Sequence, residues 1–241
     1  MCVILFALEK HPYHRVLLLA NRDEFYDRPT APAAYWEDFP DILAGRDLVA
    51  GGTWLGVTRG GRFAAVTNYR EPLAPKGKLS RGELVADFLK CGRSAMKYAE
   101  SVRSRGGHHS GFNLIVGEPS KKGFDVYYVS NRNKGVAALD PGLYGLSNHL
   151  LDTPWPKVRT GKERLARLLG LSKIVPKDAF DLLSDQTEAP DKDLPDTGIG
   201  YEMERALSPI FIRTPVYGTR SSTFLSISTE LRIDLEEKVY V

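Results

Sequence analysis

The sequence predicts an α+β fold of antiparallel sheets with helices packed against their outer faces. Three observations predict it. Apolar runs of strand length come in neighbouring pairs divided by turn residues. Segments with helical periodicity and cap signals come in pairs between them. No internal repeat or shift of composition divides the chain, so residues 1–241 are taken as one domain.

Val3–Leu8 and Arg15–Ala20 read as strands separated by His11-Pro12-Tyr13, and Ala20 gives way abruptly to Asn21-Arg22-Asp23-Glu24. The stretch from Pro29 to Pro40, rich in Pro, Ala and aromatic residues, reads as an irregular loop. Gly51-Gly52-Thr53-Trp54-Leu55-Gly56 leads into a strand, Gly60-Gly61 supplies a hairpin turn, and Arg62–Asn68 returns. Ser80-Arg81-Gly82-Glu83 matches a capping box, and Leu84, Val85, Phe88 and Leu89 then share one helix face. A second helix is expected over Ser94–Arg103, then a hairpin of Phe112–Val116 and Phe124–Val129, then a strand at Leu143–Asn148. Thr153-Pro154 predicts a helix start with proline at the first position, running towards Gly170, and Pro176 starts a shorter helix. Ser184–Gly200 is polar and aperiodic and reads as a mobile loop, after which Val216–Ser228 and Leu231–Val241 close the chain as strands.

Composition removes several function classes. A net charge of +3, with no long basic run, gives no footprint for nucleic acid. No apolar run reaches the ~18 residues of a membrane span, and the Val3–Leu8 run is too short for a signal peptide. Two distant cysteines make no disulfide framework, so a cytoplasmic location is the default, with Cys91 a small buried hydrophobe. The five histidines are scattered, and His108-His109 has no third ligand at zinc spacing.

Cys2 is the residue that stands out chemically. Removal of Met1 would leave a thiol and an α-amine on one residue at the mouth of a strand. Near neutral pH that amine, with an ordinary pKa of about 8, can accept the thiol proton. Four further polar residues or clusters interrupt apolar runs: Asn21-Arg22-Asp23-Glu24, Asn68, Asn148 and Arg220. An asparagine amide suits an oxyanion hole, an arginine beside a thiol favours thiolate, and an aspartate can hold a terminal ammonium. Each also has a bland role, as turn residue or solvated ion pair.

Taken in order, Met1-Cys2, Ala20-Asn21-Arg22-Asp23-Glu24-Phe25-Tyr26 with Arg28-Pro29, Gly51-Gly52-Thr53-Trp54-Leu55-Gly56 and Thr67-Asn68-Tyr69 resemble the NRDE family. This family is also called the transport and Golgi organisation protein 2 family. Ser80-Arg81-Gly82-Glu83-Leu84-Val85, Gly111-Phe112-Asn113-Leu114, Tyr144-Gly145-Leu146-Ser147-Asn148, Thr153-Pro154-Trp155-Pro156-Lys157 and Tyr217-Gly218-Thr219-Arg220 extend the resemblance nearly end to end. The family is in turn similar to N-terminal nucleophile hydrolases of the choloylglycine hydrolase and penicillin V acylase group.

That resemblance implies a four-layer αββα sandwich of two antiparallel sheets flanked by helices. It implies Cys2 as nucleophile, Asn148 and Asn68 as oxyanion donors, and Arg220 near the nucleophile, lowering the thiol pKa or holding the substrate's acyl or carboxylate end. The Arg-Asn-x-Asp pattern of the acylases is only approximated by Asn21-Arg22-Asp23-Glu24. Overlaying the asparagines aligns Asp23 and displaces Arg22, which is placed with Trp54, Tyr69 and Trp155 on the substrate-binding side. Strand alternation sends Asn21 and Asp23 to one face and Arg22 and Glu24 to the other. Asp23 is expected to face the Cys2 amine and Glu24 to anchor the loop. The implied chemistry is cleavage or transfer at an amide or thioester bond of a small acyl substrate, with no cofactor. The alternative implied by the family is a non-catalytic haem-binding or haem-trafficking protein, with His149 and His14, and also His11 and Cys2, as candidate iron ligands.

Overall fold

The computed structural model describes residues 2–75 and 77–241, Cys2 by its backbone alone. The chain opens with the antiparallel pair β1 (Cys2–Leu8) and β2 (His14–Phe25). It continues through β3 (Thr30–Tyr35), β4 (Ile42–Asp47), β5 (Leu55–Thr58) and β6 (Phe63–Asn68) to the helices α1 (Arg81–Lys90) and α2 (Ala95–Arg105). Strands β7 (Phe112–Ser120), β8 (Gly123–Ser130), β9 (Val136–Ala138) and β10 (Gly142–Leu146) follow. Helices α3 (Pro156–Leu168), α4 (Pro176–Leu183) and α5 (Tyr201–Ala206) precede the closing pair β11 (Tyr217–Ser228) and β12 (Ile233–Val239).

The strands form two antiparallel sheets, one of five in the order β10-β1-β2-β11-β12 and one of seven running from β3 to β9 in sequence order. Alternation along β2 shows how they stack. Leu18 and Ala20 face the second sheet, meeting Phe63, Ile115 and Tyr128 in a shared core with Phe6 and Leu225. Leu17 and Leu19 face outward, where Leu165 and Leu168 of α3 and Leu182 of α4 cover them. On the far side, Val85 and Phe88 of α1 and Tyr98 and Val102 of α2 cover Ala64, Leu114 and Val116. The result is the αββα sandwich. Both faces of β1 and of the middle of β2 are buried, which is why these early strands read as continuous apolar runs. Gly161 lets α3 approach β1 closely, since a Cβ there would lie 2.6 Å from Leu5 Cδ1.

Several expectations change in detail. The Pro29–Pro40 segment is not an irregular loop, because residues 30–35 form β3. This strand lies at a sheet edge and its register shifts between Ala31 and Ala34, and an edge position with a register shift is where a proline such as Pro32 is tolerated. Helix α3 begins two residues later than expected, with Trp155 as N-cap and Pro156 at the first position. A residue before proline favours extended backbone, and Trp155 has φ −60° and ψ 148°. Ser80 does cap α1, but through the Gly82 N–H at 3.2 Å, one position earlier than a capping box. Cys91 is only half-buried, at the C-cap of α1. Among the described residues no helix is long and apolar enough to cross a membrane.

Asn21 ties the five-stranded sheet to its helices. Its Nδ2 donates to the carbonyls of Leu183 and Ile210, each at 2.9 Å, and its Oδ1 accepts from the Ser222 hydroxyl at 2.6 Å. Asn21→Ala leaves these buried groups without that partner, so thermal or urea denaturation is expected to show a loss of about 3 kcal/mol.

Candidate functional site

One end of the sandwich gathers the polar interruptions. Cys2 pairs with Arg22 across β1 and β2. On the other side of β1, Ile4 pairs with Leu146, so Asn148, two residues beyond, leaves β10 at the same end. Asn68 ends β6 of the opposite sheet. Hydrogen bonds lace these ends together across the sheet interface. The Thr67 hydroxyl donates to the Ser147 carbonyl at 2.7 Å, Asn148 Nδ2 donates to the Asn68 carbonyl at 3.1 Å, and the Arg70 N–H donates to the Asn148 carbonyl at 2.8 Å.

A cavity of about 380 Å³ opens there, lined among others by Arg22, Asp23, Trp54, Asn68, Lys78 and Arg81. Strand alternation divides the Asn21–Glu24 cluster as its sequence implies. The Arg22 guanidinium lies 4.3 Å from the Trp54 ring centre, between the sheets. Asp23 accepts from the Thr219 hydroxyl at 2.7 Å. Glu24 accepts from the Phe25 N–H at 3.0 Å and lies 3.9 Å from Arg28. Arg28 in turn binds Asp47 at 2.7 Å, fixing one rim of the cavity.

Asp23 is the electrostatic outlier. Burial pushes its carboxyl up from 3.8 to about 6, against the opposing pull of Lys157, the Thr219 hydroxyl and Arg22. Lys157 is itself buried, with Nζ donating to the Leu207 carbonyl at 2.8 Å. It was not among the expected site residues, yet its signal is present. Lys157 stands four residues before Gly161 and eight before Leu165, the helix positions that face the sheet. Thr219, too, was overlooked beside Arg220.

The other expected residues lie elsewhere. Asn148 is fully buried behind Asn68 and does not line the cavity. Arg220 sits at a bulge in β11, where the register shifts between Thr219 and Ser221. Its guanidinium donates to the carbonyls of Phe25, Arg28 and Val241 and to the Thr30 hydroxyl, tying the β2–β3 connection to the C-terminal strand. Tyr69, Trp155 and His149 line a second cavity of about 580 Å³. His14 lies at the opposite end of β2, bonded to Ser226 at 2.7 Å, with its ring tilted against His11 at 4.7 Å. The Cys2 side chain and Met1, on which the nucleophile and its free amine depend, lie outside the described residues.

A family model described as Transport and Golgi organisation 2 matches residues 1–241. The chain belongs to that family. Relatives in the family include the human Transport and Golgi organization protein 2 homolog, 36% identical over 255 residues, covering 99% of this chain and 92% of that protein. The Drosophila melanogaster Transport and Golgi organization protein 2 is 27% identical over 260 residues, with the same two coverages. Among solved structures, a Caenorhabditis elegans N-acylethanolamine-hydrolyzing acid amidase ortholog matches with a TM-score of 0.53 at 13% identity. It covers 93% of this chain and 92% of its own. This chain therefore shares the fold of that amidase.

Haem, which the family resemblance implies, fits neither histidine well. His14 is bonded to Ser226 and lines neither cavity described above. The His149 cavity has one cationic residue in its lining, Arg70, which is ion-paired with buried Glu204, while Glu71 and Asp196 add carboxylates. Two propionates would meet net negative charge there. Among the described residues no group of three or more His, Cys, Asp or Glu is placed to hold a metal ion.

The raised Asp23 pKa has a stability consequence. Protonation favours the folded state, so the Asp23 contribution is fully present below pH 3.8 and is lost as pH rises through about 6. Asp23→Asn is expected to flatten the urea-denaturation stability profile between pH 4 and 7. Above pH 7 it should be more stable than the parent chain by up to about 3 kcal/mol.

Proposed function

We propose that this protein cleaves or transfers an acyl group at an amide or thioester bond through the Cys2 thiol. The observation that carries the proposal is the convergence at one cavity end of the β1 terminus, Arg22, Asp23 and Asn68, with Asn148 bonded directly behind. The solved relative in fold hydrolyses N-acylethanolamines, a C–N acyl bond, which supports the reaction class.

After loss of Met1, the Cys2 α-amine takes the thiol proton and sulfur adds to the substrate carbonyl carbon. The tetrahedral oxyanion is met by the side-chain amide of Asn68, which lines the cavity, and Asn148 holds Asn68 from behind. The ammonium then protonates the departing amine, leaving a thioester that water or a second acceptor resolves. Asp23 steadies the ammonium, and its near-neutral pKa lets its charge follow the proton. Arg22, held over Trp54, and the rim cations Lys78 and Arg81 face the part of the substrate that fills the cavity. Arg220 acts as a positioning residue through the loop carbonyls it holds.

The test is intact-mass spectrometry of the purified chain before and after exposure to a panel of acyl amides and thioesters. Loss of Met1 and a single acyl adduct, absent from Cys2→Ala, is the expected result. An unmodified chain that turns over none of the panel, or equal turnover in Cys2→Ala, refutes the proposal. Once a substrate is in hand, Asn68→Ala is expected to lower kcat by about 10²–10³-fold with the fold retained.

A further inference from the structure

The second cavity carries a site that the proposed reaction does not use. Its volume of about 580 Å³ suits a small organic ligand. Three rings form its aromatic wall, with His149 between Tyr69 at 4.9 Å and Trp155 at 5.9 Å, centre to centre. The hydrogen bonds of His149 determine its tautomer. The Thr153 hydroxyl has one proton and donates it to the Leu150 carbonyl at 2.8 Å. In its contact with His149 Nδ1, also 2.8 Å, that hydroxyl can therefore only accept, so Nδ1 carries the proton. Burial holds the ring's pKa below the ordinary value, so the imidazole is neutral near pH 7 and Nε2 is an acceptor with no hydrogen-bond partner among the described residues.

The charged groups around the ring are otherwise committed. Arg70 pairs with Glu204, which also accepts from the Thr197 N–H and hydroxyl. Glu71 is held by Arg132 and the Gly111 N–H, and Asp196 accepts from the Gly198 N–H at the rim. With Arg70 balanced by Glu204 and Glu71 by Arg132, the Asp196 carboxylate leaves the cavity net negative and opposes an anion, and the Arg70 guanidinium already stands over the Trp155 ring, at 5.1 Å. We propose that this cavity binds an uncharged planar ligand bearing an O–H or N–H group, of the phenol or indole class, which donates to His149 Nε2. The site is independent of any reaction at Cys2.

The test uses four matched probes, p-cresol, 4-methylanisole, 4-methylbenzoate and 4-methylbenzylammonium, titrated into the full chain by NMR. Expected are an Nδ1–H tautomer for His149 and p-cresol binding at least tenfold tighter than the other three. His149→Phe keeps an aromatic ring but should abolish the preference over the methyl ether. Thr153→Val, which frees the tautomer, should weaken p-cresol binding while leaving the fold intact, and it carries the test if His149→Phe does not fold. The proposal is overturned by an Nε2–H tautomer in the parent chain, by equal binding of the ether, or by tighter binding of a charged probe. Shifts unchanged in both variants, or no binding of any probe, overturn it equally.

Discussion

The candidate site depends on hydrogen bonds that cross from one sheet to the other at the ends of β6 and β10. A sheet-on-sheet interface is otherwise apolar and can slide at modest cost, because dispersion and burial have no direction. The Thr67–Ser147, Asn148–Asn68 and Arg70–Asn148 bonds do have direction. They fix the registration of two strand ends belonging to different sheets and so set where the two asparagines stand relative to the head of β1. The network continues inward. Asn113 donates to the Thr67 hydroxyl and the His149 carbonyl and accepts from the Tyr128 hydroxyl, which in turn accepts from the Leu151 N–H. Buried networks of this kind are costly when half-satisfied, so Asn113 and Tyr128 hold the Ser147–Leu151 turn in one arrangement.

A second constraint is electrostatic. Placing a carboxylate at a fully buried strand position opposes stability, and the raised pKa of Asp23 measures that opposition. The Thr219 hydroxyl, Lys157 and Arg22 offset that cost in part. A carboxyl with a pKa of about 6 takes up a proton near neutral pH at modest cost, which suits it to following a proton. By contrast the Arg70–Glu204 pair, equally buried, is closed by hydrogen bonds from Thr197 and has the character of a structural pair.

Much of the architecture was legible because the strand and helix signals agree with one another. The hairpins at Gly60-Gly61 and Lys121-Lys122-Gly123 lie where glycine and turn chemistry put them, and α1, α2 and α4 follow their cap residues. The misreadings share a cause. Proline in an edge strand and the alternating prolines Pro154 and Pro156 at the start of α3 both obey local rules, but which rule prevails is decided by sheet position and by the neighbouring turn. At the site, single polar residues were legible as interruptions, whereas their partners were not. Thr219 carries no unusual local pattern until β11 is laid beside β2, and the helical spacing that buries Lys157 points to the site only once α3 is laid over β1.

The same limit explains why residues grouped by sequence separate in space. Tyr69 follows Asn68 and Trp155 lies near Asn148, so all four fall naturally into one pocket on paper. Strand alternation and the bend after β6 oppose this. Asn68 lines the Arg22–Trp54 cavity while Tyr69, one residue on, lines the His149 cavity. The chain from Tyr69 to Ala74 walls one cavity and that from Gly77 to Gly82 the other, so a single connection shapes both. A ligand in the second cavity would press on the residues that follow Asn68, and the Asn148–Asn68 bond lies within one residue of each cavity. Any coupling between the two sites must therefore act through backbone that the inter-sheet hydrogen bonds already hold, which favours small displacements of the two asparagines over a large opening of the fold.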